Sequence, residues 1–157
     1  MYWTATYAPK QIKDIIGYKK IICQIDKMAA SGNIPNLIFS GDTGCGKSSL
    51  INALIHPESN VLFIRAANEK NIKGAILNYI KKKNDKKIIV IENIDTLPES
   101  IQHPIAGLMD NTNVQFILSC HHTYCVINNH NNTPAVYFSF DCGEDFDTTV
   151  RRFQHQW

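Results

Sequence analysis

The sequence predicts an α/β fold of three layers, with a mainly parallel central sheet between two layers of helices. Three observations carry that prediction. Short runs rich in β-branched and aromatic residues alternate with amphipathic segments from residue 36 to residue 140, the pattern of strands joined by right-handed helical crossovers. Ile88-Ile89-Val90-Ile91 is a run of β-branched residues that reads as a strand buried on both faces, as a parallel sheet requires. Residues 41–48, Gly-Asp-Thr-Gly-Cys-Gly-Lys-Ser, fit the phosphate-binding pattern G-x-x-x-x-G-K-[ST] without a gap.

Taken in order, Gln11 to Ile16 reads as a short helical or turn segment closed by Gly17. Lys19 to Ala30 places apolar residues at 21, 22, 25 and 28–30, an amphipathic helix ended by Ser31-Gly32-Asn33. Asn36 to Ser40 is a short buried strand, and Ser48 to Ile55 the helix after it. His56 to Asn60 is a turn and Val61 to Ile64 a second core strand. Asn71 to Lys83 predicts a helix with Ile72, Ala75, Ile76, Tyr79 and Ile80 on one face; its Lys81-Lys82-Lys83 end suits the negative pole of the helix dipole. After the strand at Ile88, Pro98-Glu99-Ser100 starts a helix running to about Met109, which Pro104 is expected to kink or shorten. Val114 to Ser119 and Ala135 to Phe140 are the remaining strands, separated by a polar loop, Thr123 to Thr133.

A chain of 157 residues has room for one substantial core, so residues 1–157 are expected to form a single domain: segment 1–17, α/β core 18–140 and tail 141–157. Sixteen Lys and Arg against fourteen Asp and Glu leave a net charge of +2, without the basic excess that marks nucleic-acid binding. Lys81 to Lys87 is interrupted by Asn84 and Asp85 and reads as a solvated helix end. The cysteines at 23, 45, 120, 125 and 142 form an odd set without C-x-x-C spacing, which argues against a disulfide framework or zinc site and for a reducing, intracellular setting. No apolar run reaches the length of a membrane span, and the first residues lack the character of a secretion signal.

The strand and helix flanking residues 41–48 are the context that the phosphate motif needs, and they specify the α/β class as a three-layer P-loop NTPase fold. Gly41, Gly44 and Gly46 permit tight or positive-φ geometry, so that the backbone N–H groups of Asp42, Thr43, Cys45 and Ser49 can share the cradle with the helix start. Lys47 supplies charge to the β and γ phosphates of ATP, and Ser48 offers its hydroxyl to Mg²⁺; the Cys45 side chain is expected to pack rather than react. The strand paired with the first is expected to end in an acidic residue beside Mg²⁺, and Ile88 to Ile91 delivers Glu92. Asn93 follows where a general base would carry a carboxylate; an amide holds water but does not take its proton. Asp95, the nearest other carboxylate, is expected to cap or brace the following turn. His121, after Val114 to Cys120, sits where a side chain from an adjacent strand reaches the γ-phosphate.

These residues resemble the nucleotide-binding domain of clamp-loader small subunits of the replication factor C type, within the AAA+ ATPases. Trp3 to Pro9 is similar to the opening W-x-x-K-Y-R-P, and Ile15-Ile16-Gly17 to I-I/V-G; the resemblance implies that Tyr7, Pro9, Ile16 and Gly17 lie on the adenine side. Pro35 to Gly41 matches P-N-L-L-F-x-G, Ile64 to Glu69 is similar to L-N-A-S-D-D, and Phe116 to His121 resembles F-I-L-S-C-N, whose last residue is a sensor. The departures fall on catalytic parts. Glu92-Asn93 stands for Asp-Glu, His121 for the sensor asparagine, Asn132-Thr133-Pro134 for Ser-Arg-Cys, Ala106 and Gly107 for a basic pair, and Ala8 for an arginine. The family's lid and collar would begin near Trp157, with Arg151 and Arg152 a solvated pair.

The resemblance implies an ATP-binding, clamp-loader-like subunit or accessory protein in DNA replication, holding ATP and Mg²⁺ with weak or absent hydrolysis. Lys47, Glu92, Asn93 and His121 are its candidate catalytic residues, with Ser48 and Glu92 at the metal. Partners would be other AAA+ or clamp-loader-like subunits and a sliding clamp, with DNA contact not visible in the charge; the location would be the nucleus or another replication compartment. The alternative is a non-enzymatic AAA+-like protein that binds a partner ATPase or clamp. A small kinase is disfavoured, because Arg65, Arg151 and Arg152 are the only arginines available to clamp phosphates.

Overall fold

In a computed structural model the described residues are 8–32, 34–55, 60–66, 71–83, 87–111, 113–121 and 135–140. Within them, five strands form one sheet: β1 (Asn36–Gly41), β2 (Asn60–Arg65), β3 (Lys87–Glu92), β4 (Gln115–Cys120) and β5 (Ala135–Phe140). Their order is β2-β3-β4-β1-β5 and all the pairings are parallel. The expected turn or loop regions 56–59 and 123–133, the tail 141–157, and residues 1–7, which include Tyr7 and the opening motif up to it, lie outside the described residues.

One expectation is overturned by this order. β3 does not pair with β1; β4 lies between them, with Leu37 opposite Ile117 and Ile89 opposite Phe116. The reason is that β4 is as apolar as β3 on both faces, with Phe116, Ile117 and Leu118 all buried, so it takes a central position of its own.

The period-two alternation of strand side chains divides the core in two. On one face Ile38, Ile89, Ile91, Phe116 and Leu118 pack with Ile72, Ile76 and Tyr79 of α3 (Ile72–Lys81) and with Ile105, Ala106 and Met109 of α4 (Glu99–Asn111). On the other, Leu37, Phe39, Val90 and Ile117 pack with Ile25 of α1 (Lys19–Ala30) and with Leu50 and Ile51 of α2 (Lys47–Leu54). These are the three layers. Each fully buried Leu, Ile or Phe contributes about 1.5–3 kcal/mol, so the alternation fixes which way every strand faces.

Two helix ends differ from expectation. α3 starts at its cap, where the Asn71 side chain accepts the Gly74 N–H at 3.0 Å, but it stops at Lys81 because Lys82 is extended. Lys81 of the lysine run lies in the last turn, and the ammonium of Lys87, at the start of β3, donates to the Ile80 carbonyl, so both cations serve the helix terminus. α4 is neither broken nor shortened at Pro104 and continues to Asn111. The bond that Pro104 cannot make would go to the carbonyl of Ser100, an exposed residue in the first turn, while Ile105, Ala106 and Met109 hold the next turns in the core.

Candidate nucleotide-binding site

Because the strands are parallel, their C-terminal ends share one edge, where ligands of open α/β sheets bind. β1 brings Gly41 there, β3 Glu92, β2 Arg65, β5 Phe140, and β4 leads into His121. Gly41 has φ +148, and a Cβ on it would lie 2.4 Å from the Phe140 carbonyl oxygen, so only glycine lets β1 leave the sheet beside β5. Gly46, with φ +95, turns the chain into α2.

Asp42, Thr43, Gly44, Gly46, Ser48 and Ser49 are exposed, whereas Cys45 and Lys47 are buried. Cys45 packs with Phe39, Leu50 and Ile51 and pins the loop to the core, the packing role expected of its side chain. The ammonium of Lys47 donates to the carbonyls of Gly41 at 2.6 Å and Asp42 at 2.7 Å, with the Cys45 Sγ at 3.4 Å. These contacts hold a positive charge inside the loop. The first-turn N–H groups of α2 lack intrahelical acceptors, and that turn carries no acidic residue, so the loop and helix start together favour an anion.

Glu92 is buried at the end of β3, and the register sets Arg65 of β2 opposite it. Arg65 Nε lies 3.3 Å from Glu92 Oε2. Asn93 follows in the left-handed region at φ 58, a conformation that asparagine tolerates better than most side chains. Its N–H donates to Ser119 Oγ at 3.2 Å, and its carbonyl accepts from the N–H (3.0 Å) and hydroxyl (2.7 Å) of Thr96.

Asp95 lies in a 3₁₀ turn, Ile94–Thr96, yet its carboxylate neither caps nor braces that turn. Instead Oδ2 accepts the backbone N–H of His121 at 3.1 Å and lies 3.5 Å from His121 Nδ1. The turn projects the carboxylate towards the end of β4, the next strand in the sheet. Ser40 pairs with Cys120, so His121 follows immediately beside Gly41, on the strand adjacent to β1 as expected.

On the N-terminal side, Pro9 is half-buried, Ile16 is exposed and Gly17 has φ +93. Ile12, Ile15 and Tyr18 pack against the cluster that contains Cys45, Leu50 and Ile51, and the Tyr18 ring lies 4.7 Å from that of Phe140. The segment therefore flanks the phosphate loop.

The topology thus sets Lys47, Glu92, Asn93 and His121 at one edge of the sheet, with Ser48 in the first turn of α2. An exposed hydroxyl beside the loop and a buried carboxylate two strands away fit a hydrated magnesium, which takes few protein ligands. Among the described residues there is no group of three His, Cys, Asp or Glu that would make a dedicated protein metal cage. Sequence reasoning missed Arg65 and Ser119 as parts of the site. Arg65 follows the apolar run 61–64 as Glu92 follows 88–91, and that parallel was its signal; Ser119, inside a strand, offered none.

The family model described as "ATPase family associated with various cellular activities (AAA)" matches residues 37–128. The replication factor C small subunit of Methanocella arvoryzae is 29% identical, the match covering 86% of this chain and 47% of that protein. Replication factor C subunit 4 of Saccharomyces cerevisiae is 25% identical over 80% of this chain and 44% of its own length. The chain thus spans about half the length of the curated relatives it matches. Among solved structures, the RuvB Holliday junction branch migration motor of Thermotoga maritima superposes with a TM-score of 0.65 at 13% identity, over 86% of this chain and 49% of that one, a likeness of fold.

Proposed function

Since the chain belongs to the AAA family of ATPases, we propose that it binds ATP with Mg²⁺ at residues 41–49 and serves as a clamp-loader-like subunit or accessory protein in DNA replication. The observation that carries the reading is the buried ammonium of Lys47, held at the mouth of a glycine loop that opens on the start of α2. In this reading, Lys47 exchanges its carbonyl partners for phosphate oxygens. Ser48 and Glu92 would hold Mg²⁺, which would supply positive charge to offset that of the phosphates. Pro9, Ile16 and Gly17 flank the base, with Tyr7 in the segment that precedes them.

Asn93 itself supplies no base, because its amide orients water without accepting a proton, so hydrolysis is expected to be weak. The similarity to replication factor C subunits supports partners of the same kind, a sliding clamp among them, in a compartment where DNA is replicated. Calorimetric titration with ATP and Mg²⁺ tests the site. Metal-dependent binding in the wild type that disappears in Lys47→Ala is expected; equal binding by both proteins, or none by the wild type, refutes it.

A further inference from the structure

The end of β4 carries a carboxylate that the nucleotide cradle does not use. Asp95 is nearly buried, its side chain 11% exposed, and its Oδ1 has no hydrogen-bond partner among the described residues. Its other oxygen receives the His121 N–H and faces Nδ1 of the same residue at 3.5 Å. A buried carboxylate oxygen without a partner is costly, and a positive charge on the neighbouring imidazole is what would compensate it. The remaining charged groups on described residues at this edge are otherwise engaged: Glu92 is paired with Arg65, and Lys47 is bonded to the Gly41 and Asp42 carbonyls, while Asp42 is exposed. Among the described residues, Asp95 is therefore the charged group that faces the His121 ring.

We propose that His121 and Asp95 form a histidine–carboxylate dyad that takes the proton of the attacking water, replacing the carboxylate absent at Asn93. The proposal rests on the nucleotide-site reading above. A carboxylate beside Nδ1 favours the neutral tautomer protonated there and leaves a lone pair on Nε2. That nitrogen does not donate to a phosphate oxygen, as a sensor amide would, but it accepts a proton. Water oxygen bonds to the γ-phosphorus as the bond from phosphorus to the β,γ-bridging oxygen breaks. The electron pair of that bond stays on ADP, the water proton passes to His121 Nε2, and Asp95 balances the imidazolium. The proton then leaves to solvent, and no other reactant is needed. Asp95 is a positioning residue and His121 the base.

The opposite role, a protonated His121 acting as a cation on the γ-phosphate, predicts the opposite pH dependence, which makes the two separable. Hydrolysis rates of the wild type, His121→Asn and Asp95→Asn are measured between about pH 5 and 8, with Lys47→Ala as the background. In the dyad, wild-type kcat rises with pH. His121→Asn keeps ATP binding within about twofold but loses at least about 100-fold in kcat together with the pH dependence. Asp95→Asn lowers kcat with KM unchanged. Nitrogen-15 NMR of the nucleotide-free wild type, a readout independent of turnover, is expected to show the Nδ1–H tautomer of His121, moving to Nε2–H in Asp95→Asn.

A wild-type rate that is flat or falls with pH overturns the dyad, as does an unchanged kcat in His121→Asn or an Nε2–H tautomer in the wild type. Lys47-dependent ATP binding without hydrolysis above background overturns the dyad alone. Binding insensitive to Lys47 overturns the site reading and the dyad with it.

Discussion

Arg65 and Glu92, the paired last residues of β2 and β3, form an ion pair with Nε 3.3 Å from Oε2. The arginine side chain is 67% exposed and stays hydrated, while that of the glutamate is 10% exposed. The pair therefore compensates the buried carboxylate at little desolvation cost to its partner. It also occupies one oxygen of the group proposed to face the metal.

Removing that competitor should strengthen metal binding. Arg65→Ala is expected to lower the Mg²⁺ concentration giving half-maximal ATP binding by about fivefold, corresponding to about 1 kcal/mol of competition, while costing the fold no more than about 1 kcal/mol. Magnesium titrations at fixed ATP check this, and an unchanged midpoint would show that the pair does not compete with the metal.

Gly41 carries a constraint that Gly44 does not. A Cβ at Gly41 would meet the Phe140 carbonyl oxygen at 2.4 Å and the Phe140 Cβ at 2.8 Å, whereas at Gly44, with φ +85, it would meet nothing within 4 Å. Gly41→Ala is expected to cost about 3 kcal/mol through displacement of β5, and Gly44→Ala about 1 kcal/mol from backbone strain alone. Denaturant unfolding of the two variants decides whether that ranking holds.

At Asn93 backbone and chemistry oppose each other. The residue sits at φ 58, where a longer side chain is strained, so Asn93→Glu is expected to lose about 1 kcal/mol of stability. The new carboxylate would still offer the attacking water a base. Turnover should rise at least about tenfold with ATP affinity nearly unchanged; phosphate release from matched, ATP-saturated samples gives the answer.

Tyr79 supplies a pH dependence remote from the site. Burial raises its pKa above the ordinary value of 10.0, outweighing the lowering effect of a backbone hydrogen bond at Ile88, and its hydroxyl donates to the Asn60 carbonyl at 2.5 Å. Folding thus favours the neutral phenol. Its contribution is complete below the ordinary value and is lost as pH rises through the raised one. Tyr79→Phe should cost about 1 kcal/mol at neutral pH, and the gap from wild type should narrow above about pH 10. Paired urea titrations at both pH values measure it.

The succession of strands and helices, the glycine loop, and the polar residues at the ends of β3 and β4 were all legible in the sequence, because periodicity and turn chemistry act over a few neighbouring residues. Pro104 does not shorten its helix because its missing bond falls on an exposed first turn, and α3 ends at Lys81, in the lysine run, with Lys87 of β3 also reaching its terminus. By itself, then, the sequence determined the α/β class and which segment carries the phosphate-binding pattern between a strand and a helix. Only the tertiary structure decided that β4 separates β1 from β3, that Arg65 meets Glu92, and that Asp95 reaches His121 across 26 residues of chain. Those contacts follow from which strands dock side by side, and that choice is made by the burial of whole faces, to which no local stretch of residues has access.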